Sequence, residues 1–193
     1  YMKLKSFDRA ISSLPLHYSY GLSILNTHLY VGGRFYLTKL PITSKDFWSF
    51  FKESEISGLA GVPATWRILR KLFFERMKLN SLRLITQAGG KLSNEEVNWL
   101  AKVGDLKKYS VFIMYGQSEA TARISYLKPE MILNKCGSIG KVIPDGELYL
   151  KDENDCIINK SNKEGELIYK GDNVMMGYAK QTSDLKSGYE INE

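Results

Sequence analysis

Two short segments hold the residues best placed to do chemistry. The first is Tyr115-Gly116-Gln117-Ser118-Glu119-Ala120-Thr121-Ala122, which sets a hydroxyl beside a carboxylate just past the apolar run Val111–Tyr115. A hydroxyl can donate to a phosphate oxygen, and a carboxylate is the hard oxygen ligand that magnesium takes. Tyr115 adds a ring on which a purine can stack. A polar surface turn uses the same residue types, so the loop by itself leaves both readings open. The second segment is Gln87-Ala88-Gly89-Gly90-Lys91. Adjacent glycines let a flat ligand or a phosphate come close to the backbone, although a tight turn into a following helix needs no more than this.

Other chemistries fit less well. Gly116-Gln117-Ser118-Glu119-Ala120 nearly spells a nucleophile elbow, with Ser118 as the nucleophile. Hydrolases of that fold carry the catalytic histidine after the serine, whereas His17 and His28 both precede it. The expected helix is also broken early, by Tyr126-Leu127-Lys128-Pro129. Cys136 and Cys156 lie 20 positions apart, and neither they nor the histidines show the close spacing of a structural zinc site. They read as reduced thiols. The net charge of +6 is uneven: residues 1–110 hold 17 Lys/Arg against 8 Asp/Glu, and residues 111–193 hold 10 against 13. The cations are scattered in runs of two at most, with no aromatic ladder for stacking bases, which argues against nucleic acid. A solvated basic face is the plainer meaning, and it also suits a polyphosphate ligand.

The elements that must position these loops can be read from periodicity. With 44% apolar and 25% charged residues over 193 positions, the chain can bury a core as one domain or two small lobes. No apolar run approaches the ~18 residues of a membrane span, and a cytoplasmic location is expected. Leu22, Leu25 and Leu29 recur at helical spacing from Gly21 to Tyr30, and a strand is expected near Arg34–Leu37. Thr43-Ser44-Lys45-Asp46 can cap a second helix that carries Phe47, Phe50 and Phe51 on one face. Ile56 to Val62 reads as a strand, and Pro63 opens a third helix with Trp66, Leu69, Leu72, Phe73 and Met77 as its stripe. Leu82 to Thr86 is a strand. Ser93 and Glu96 form a capping box for a fourth helix with Val97, Leu100 and Ala101 inward. This alternation predicts an α/β class, a mostly parallel layer over residues 1–122, followed by a smaller β-rich, barrel-like lobe over residues 123–193.

Taken together, six segments resemble the adenylate-forming superfamily of acyl-CoA synthetases, nonribosomal peptide adenylation domains and luciferases. They are Leu14–Gly21, Gly61–Thr65, Gln87–Leu92, Tyr115–Thr121, Gly137–Pro144 and Gly165–Tyr178, in the family's order and over nearly the whole chain. The resemblance implies that Gly89, Gly90 and Lys91 line the adenine and acyl pockets, with Gly116 and Gln117 in the nucleotide loop. It implies that Tyr115 stacks on adenine, Ser118 contacts phosphate and Glu119 binds magnesium. His17 would stand between the acyl pocket and the pantetheine tunnel, and Asp172 would be structural. The implied reaction uses ATP, Mg2+ and CoA: a carboxylate displaces pyrophosphate from ATP, and a thiol then displaces AMP to give a thioester.

The departures are informative too. The family's phosphate loop has no counterpart in residues 1–14, its ribose-binding aspartate would follow Asp184, and its small C-terminal domain is not represented. The expectation is a piece of the large N-terminal domain, cut at both ends and inactive alone. Leu16-His17-Tyr18-Ser19-Tyr20-Gly21 holds no acidic residue of the kind that pairs with a substrate ammonium. That favours a plain carboxylic acid, such as a fatty acid, over an amino acid. An amino-acid-activating domain and a non-catalytic scaffold are the alternatives.

Overall fold

The computed structural model describes residues 1–186; residues 187–193 lie outside them. Among the described residues, nine strands and four α-helices follow in the order β1 (Arg9–Ile11), α1 (Ser19–Tyr30), β2 (Arg34–Tyr36), α2 (Lys45–Glu53), β3 (Gly58–Gly61), α3 (Pro63–Lys71), β4 (Leu84–Gln87), α4 (Asn94–Lys107), β5 (Ser110–Tyr115), β6 (Ser125–Leu127), β7 (Lys141–Val142), β8 (Glu147–Lys151) and β9 (Glu166–Lys170). Seven strands make one sheet in the order β2-β1-β3-β4-β5-β6-β7, and β8 pairs with β9 in a second. The strands β1 to β5 are parallel, each crossing over through a helix, while β6 and β7 add antiparallel to the edge. The expected α/β class is thus the observed one. The first sheet runs on past residue 123 through β6 and β7, and the antiparallel pair starts at Glu147.

Both faces of the main sheet are covered, which is why its strands are apolar on both sides. Against one face pack Phe47 and Phe51 of α2, Trp66 and Leu69 of α3, and Val97 and Leu100 of α4. Against the other lie Tyr20 and Ile24 of α1, over Ala60, Leu84 and Phe112. Alternation along β4 sends Leu84 to the α1 face and Ile85 to the opposite one.

Helix starts follow the chemistry expected of them. Ser44 Oγ accepts from Phe47 N at 3.1 Å, and Pro63 sits in the first turn of α3. The capping box is present in full: Glu96 N donates to Ser93 Oγ at 3.2 Å, and Ser93 N to Glu96 Oε2 at 2.9 Å. Two stripes differ from the periodicity. Leu22 and Leu29 of α1 are exposed, and its buried face is Tyr20, Gly21, Ile24 and His28. Tyr20 is buried with its hydroxyl donating to Thr86 Oγ1 at 2.8 Å, and His28 donates through Nδ1 to Ile24 O at 2.8 Å while its Nε2 has no partner among the described residues. Helix α3 ends at Lys71, because Phe73 takes the left-handed conformation (φ 55°), so Phe74 rather than Phe73 enters the core.

One buried carboxylate ties three strand starts together. Asp8 accepts from Lys5 N (2.7 Å), Ser57 Oγ (2.8 Å) and Arg83 Nε (2.6 Å), with Arg83 Nη2 on its other oxygen. Ser57 precedes β3 and Arg83 precedes β4, so the cluster fixes the entry of β1, β3 and β4. No helix among the described residues is long and apolar enough to cross a membrane.

Candidate active site

In an open parallel sheet the loops beyond the carboxyl ends of the strands form the natural crevice. Here those loops are the turn after β4, residues 88–92, and the loop after β5, residues 116–122. The adjacent glycines of the first take backbone angles that L side chains rarely adopt, φ +74° at Gly89 and +154° at Gly90. A Cβ at Gly89 would also stand 2.3 Å from the Tyr18 hydroxyl. The turn is therefore a glycine requirement in both conformation and space. Gln87, fully buried, donates through Nε2 to Gly90 O at 2.6 Å and so ties the turn back to β4.

Two cavities open at these loops, and Gly89 and Gly116 belong to both. The larger, about 330 Å3, lies between the Gly89–Leu92 turn and Tyr115 and is floored by the apolar Val97, Ile113 and Leu127. Lys91 is on its rim, and Tyr115 leaves a third of its surface open. The smaller, about 250 Å3, is polar: Tyr18 and Ser19 face Gln117 and Ser118 across it. Ser19 Oγ and Ser118 Oγ are 3.1 Å apart. The start of α1 lines this cavity with no acidic residue in its first turn and no side-chain cap, so its free amides and dipole favour an anion there.

Glu119 is held in the same loop by its backbone and its side chain. Met175 N donates to Glu119 O at 2.8 Å, and the Tyr178 hydroxyl to Glu119 Oε1 at 2.6 Å. The Tyr178 hydrogen bond lowers the carboxyl pKa from its ordinary value, so the group is ionised at neutral pH. No group of three or more His, Cys, Asp or Glu suited to a metal occurs among the described residues. A single carboxylate matches magnesium, which takes one or two protein oxygens and completes its shell with phosphate and water.

Of the residues singled out in the sequence, Gly89, Gly90, Lys91, Tyr115, Gly116, Gln117 and Ser118 line these two cavities, with Glu119 next to them. His17 does not join them: it sits exposed in the turn before α1 and lines neither cavity. The other histidine, His28, is buried beneath α1, and burial lowers its pKa. Sequence reasoning passed over Tyr18, Ser19, Gln87, Asn173 and Tyr178. All five stand inside motif segments, but only the fold brings Asn173 and Tyr178 of the last segment against the Ser118–Glu119 loop.

The 2-succinylbenzoate–CoA ligase of Bacillus cereus (strain Q1) is 28% identical over 179 residues, covering 91% of this chain and 35% of that protein. The chain thus spans about a third of the length of the curated relatives it matches. The o-succinylbenzoate CoA synthetase (MenE) of Bacillus subtilis, solved with the acyl-adenylate OSB-AMP, superposes with a TM-score of 0.80 at 25% identity, covering 95% of this chain and 36% of that one. The N-terminal domain of FACL13 from Mycobacterium tuberculosis shares the fold, with a TM-score of 0.79 at 19% identity over 94% of this chain and 44% of its own. The family model described as AMP-binding enzyme matches residues 1–179, from β1 through the segment that holds Glu119, and the chain belongs to that family.

Proposed function

We propose that this chain is the nucleotide- and acid-binding part of an AMP-forming acid–thiol ligase, which makes an acyl-adenylate from ATP and then a thioester with CoA. The observation that carries the reading is the junction of a largely apolar cavity with a hydroxyl-lined one at Gly89 and Gly116, beside an ionised carboxylate. A purine fits the first, between the glycine turn and the Tyr115 ring. Phosphates and the attacking carboxylate fit the second, where Ser118 and Ser19 supply hydroxyl donors and α1 its amino end.

In the first step a carboxylate oxygen of the acid attacks the α-phosphorus, and the bond to the pyrophosphate oxygen breaks. In the second, the thiol sulfur attacks the acyl carbonyl and AMP leaves. The protein forms no covalent bond. Ser118 and Ser19 orient the phosphates, Tyr115 and the Gly89–Lys91 turn fix the base, and the α1 terminus offsets charge that builds on the phosphate oxygens. Glu119 is the residue that would hold magnesium, which when bound neutralises phosphate charge. His17 is exposed before α1 and lines neither cavity, so in this reading it would meet the incoming thiol rather than the reacting atoms.

The acid is a carboxylic acid without an ammonium group. No acidic side chain is present in residues 16–21, and Tyr18, Ser19 and Tyr20 are what this stretch presents to the polar cavity. Relatives named 2-succinylbenzoate–CoA ligase support an aromatic acid as the first candidate.

The test is carboxylate-dependent exchange of labelled pyrophosphate into ATP by the intact protein, with aromatic, fatty and amino acids. Exchange with an aromatic or fatty acid, lost in Glu119→Gln while the melting curve stays unchanged, is the expected result. Exchange with amino acids only overturns the substrate class. Folded, magnesium-supplied protein that exchanges with none of them points to a scaffold.

A further inference from the structure

The loop that carries Ser118 and Glu119 is strained. After the short 3-10 turn Ser118–Ala120, two successive non-glycine residues take left-handed backbone angles, Thr121 at φ 47° and Ala122 at φ 73°. Such a pair persists only where the surroundings over-determine it. The hairpin β8–β9 and the segment after it supply what is needed. Asn173 Nδ2 donates to Ala120 O at 2.6 Å and to Arg123 O at 3.0 Å, bridging the two left-handed residues from either side. Its Oδ1 accepts from the Tyr169 hydroxyl at 2.6 Å. All the amide's polar capacity toward this loop is used in one orientation, because a flipped amide would place oxygen against two carbonyl oxygens. Gly171 leaves the room required: a Cβ there would fall 2.4 Å from the Tyr169 hydroxyl and 2.8 Å from Asn173 Oδ1.

We propose that Asn173, oriented by Tyr169, is a positioning residue that sets the Ser118–Glu119 loop for its magnesium–nucleotide ligand. The inference rests on the ligase reading above and adds to it a residue that touches neither substrate nor metal. The same segment makes three further contacts in register with the clamp. Thr121 Oγ1 donates to Asn173 O (3.3 Å), Met175 N to Glu119 O (2.8 Å), and Tyr178 to the Glu119 carboxylate (2.6 Å). Asn173 is the anchor of the set because it alone joins both ends of the left-handed pair. Its side chain is also specific. An aspartate has the shape but no donor, and an alanine leaves the Arg123 carbonyl without its Asn173 donor.

The experiment measures pyrophosphate exchange by the intact protein against magnesium concentration at saturating ATP and acid, for the wild type, Asn173→Ala, Asn173→Asp and Tyr169→Phe. A loop displaced by about 1 Å lowers turnover by about a hundredfold. The expected result for Asn173→Ala is a loss of about ten- to hundredfold in turnover per unit of magnesium affinity, with a raised magnesium requirement. Asn173→Asp should be as severe despite its shape, and Tyr169→Phe milder in the same direction. Should Asn173→Ala not fold, the other two variants decide. A lowered melting temperature with an unchanged magnesium requirement means a purely structural role and overturns the inference. Wild-type protein that shows no exchange overturns the ligase reading and this inference with it, a failure distinct from the first because no wild-type signal exists.

Discussion

Gly116→Ala is the sharpest single perturbation of the site. A Cβ at this position would stand 2.2 Å from the Ala122 carbonyl oxygen, 2.6 Å from its carbonyl carbon and 2.8 Å from Arg123 N. All three are backbone atoms, so no rotamer change relieves the overlap. Gly116 is absent from the positive-φ glycines, which leaves space as the sole obstacle to alanine. An ordinary contact of 3.4 Å or more requires the two arms of the loop to part by at least about 1 Å. The opening falls between Tyr115 and Ala122, hence directly on the wall shared by the two cavities. Overpacking of this kind costs about 1–3 kcal/mol, and each kcal/mol lowers the melting temperature of a chain this size by about 2–4 °C. Catalysis should suffer more than stability, by about a hundredfold, because Ser118 and Tyr115 flank the displaced residue. Thermal melting followed by circular dichroism and pyrophosphate exchange on the same preparation separate the two effects. A variant that melts and exchanges like the wild type would refute the reasoning, since it would mean the loop absorbs 1 Å freely.

Three further changes test the frame that holds the site. Asp8→Asn removes a buried carboxylate from Arg83, Ser57 and Lys5 and should cost about 3 kcal/mol at pH 7 in urea denaturation. Burial raises the Asp8 pKa, but the hydrogen bonds from Arg83, Lys5 and Ser57 outweigh it and hold the pKa below its ordinary 3.8. The stabilisation is thus complete above about pH 3.8 and fades as pH falls below it, so the gap between variant and wild type should narrow in acid. A gap as wide at pH 2 as at pH 7 would contradict that account. Ser93→Ala breaks the α4 capping box and should lower stability by about 1 kcal/mol, and an unchanged urea midpoint would show the cap to be idle. The Arg67 hydrogen bond, then those of Ser93, hold Glu96 down at about 2, so wild-type stability should decline between pH 4.5 and about 2. Glu96→Gln should flatten that part of the decline. Tyr20→Phe leaves the Thr86 hydroxyl without its Tyr20 partner in the core and should cost about 1 kcal/mol, read as a fall in melting temperature.

The local chemistry of this chain is legible in its residues. Ser93 and Glu96 announce a capping box three positions apart, Pro63 announces the start of α3, and the pair Gly89-Gly90 announces backbone angles closed to other residues. Each depends on atoms within a turn of one another. The face of α1 was not legible in this way. Leucines at 22, 25 and 29 mark one stripe, yet Leu22 and Leu29 are exposed while Tyr20 and His28 are buried. Periodicity counts apolar atoms, and these two side chains are buried with hydrogen bonds that no count of apolar residues registers. The end of α3 was missed for a similar reason: Phe73 extends the stripe but adopts a left-handed angle that stops the helix.

The site divides along the same line. Residue types and order determined the α/β layer, the glycine turn, the hydroxyl beside a carboxylate and the family to which these belong. Only the tertiary structure decided that Ser19 of α1 meets Ser118 across 99 residues, and that Asn173 grips the loop from 53 residues away. The physical reason is the range of the forces. Caps, turns and left-handed glycines are fixed by atoms a few bonds apart, so a sequence carries them openly. A hydrogen bond between distant segments exists only after sheets and helices have buried their apolar faces and brought its two ends within 3 Å, and that meeting is written in no stretch of residues.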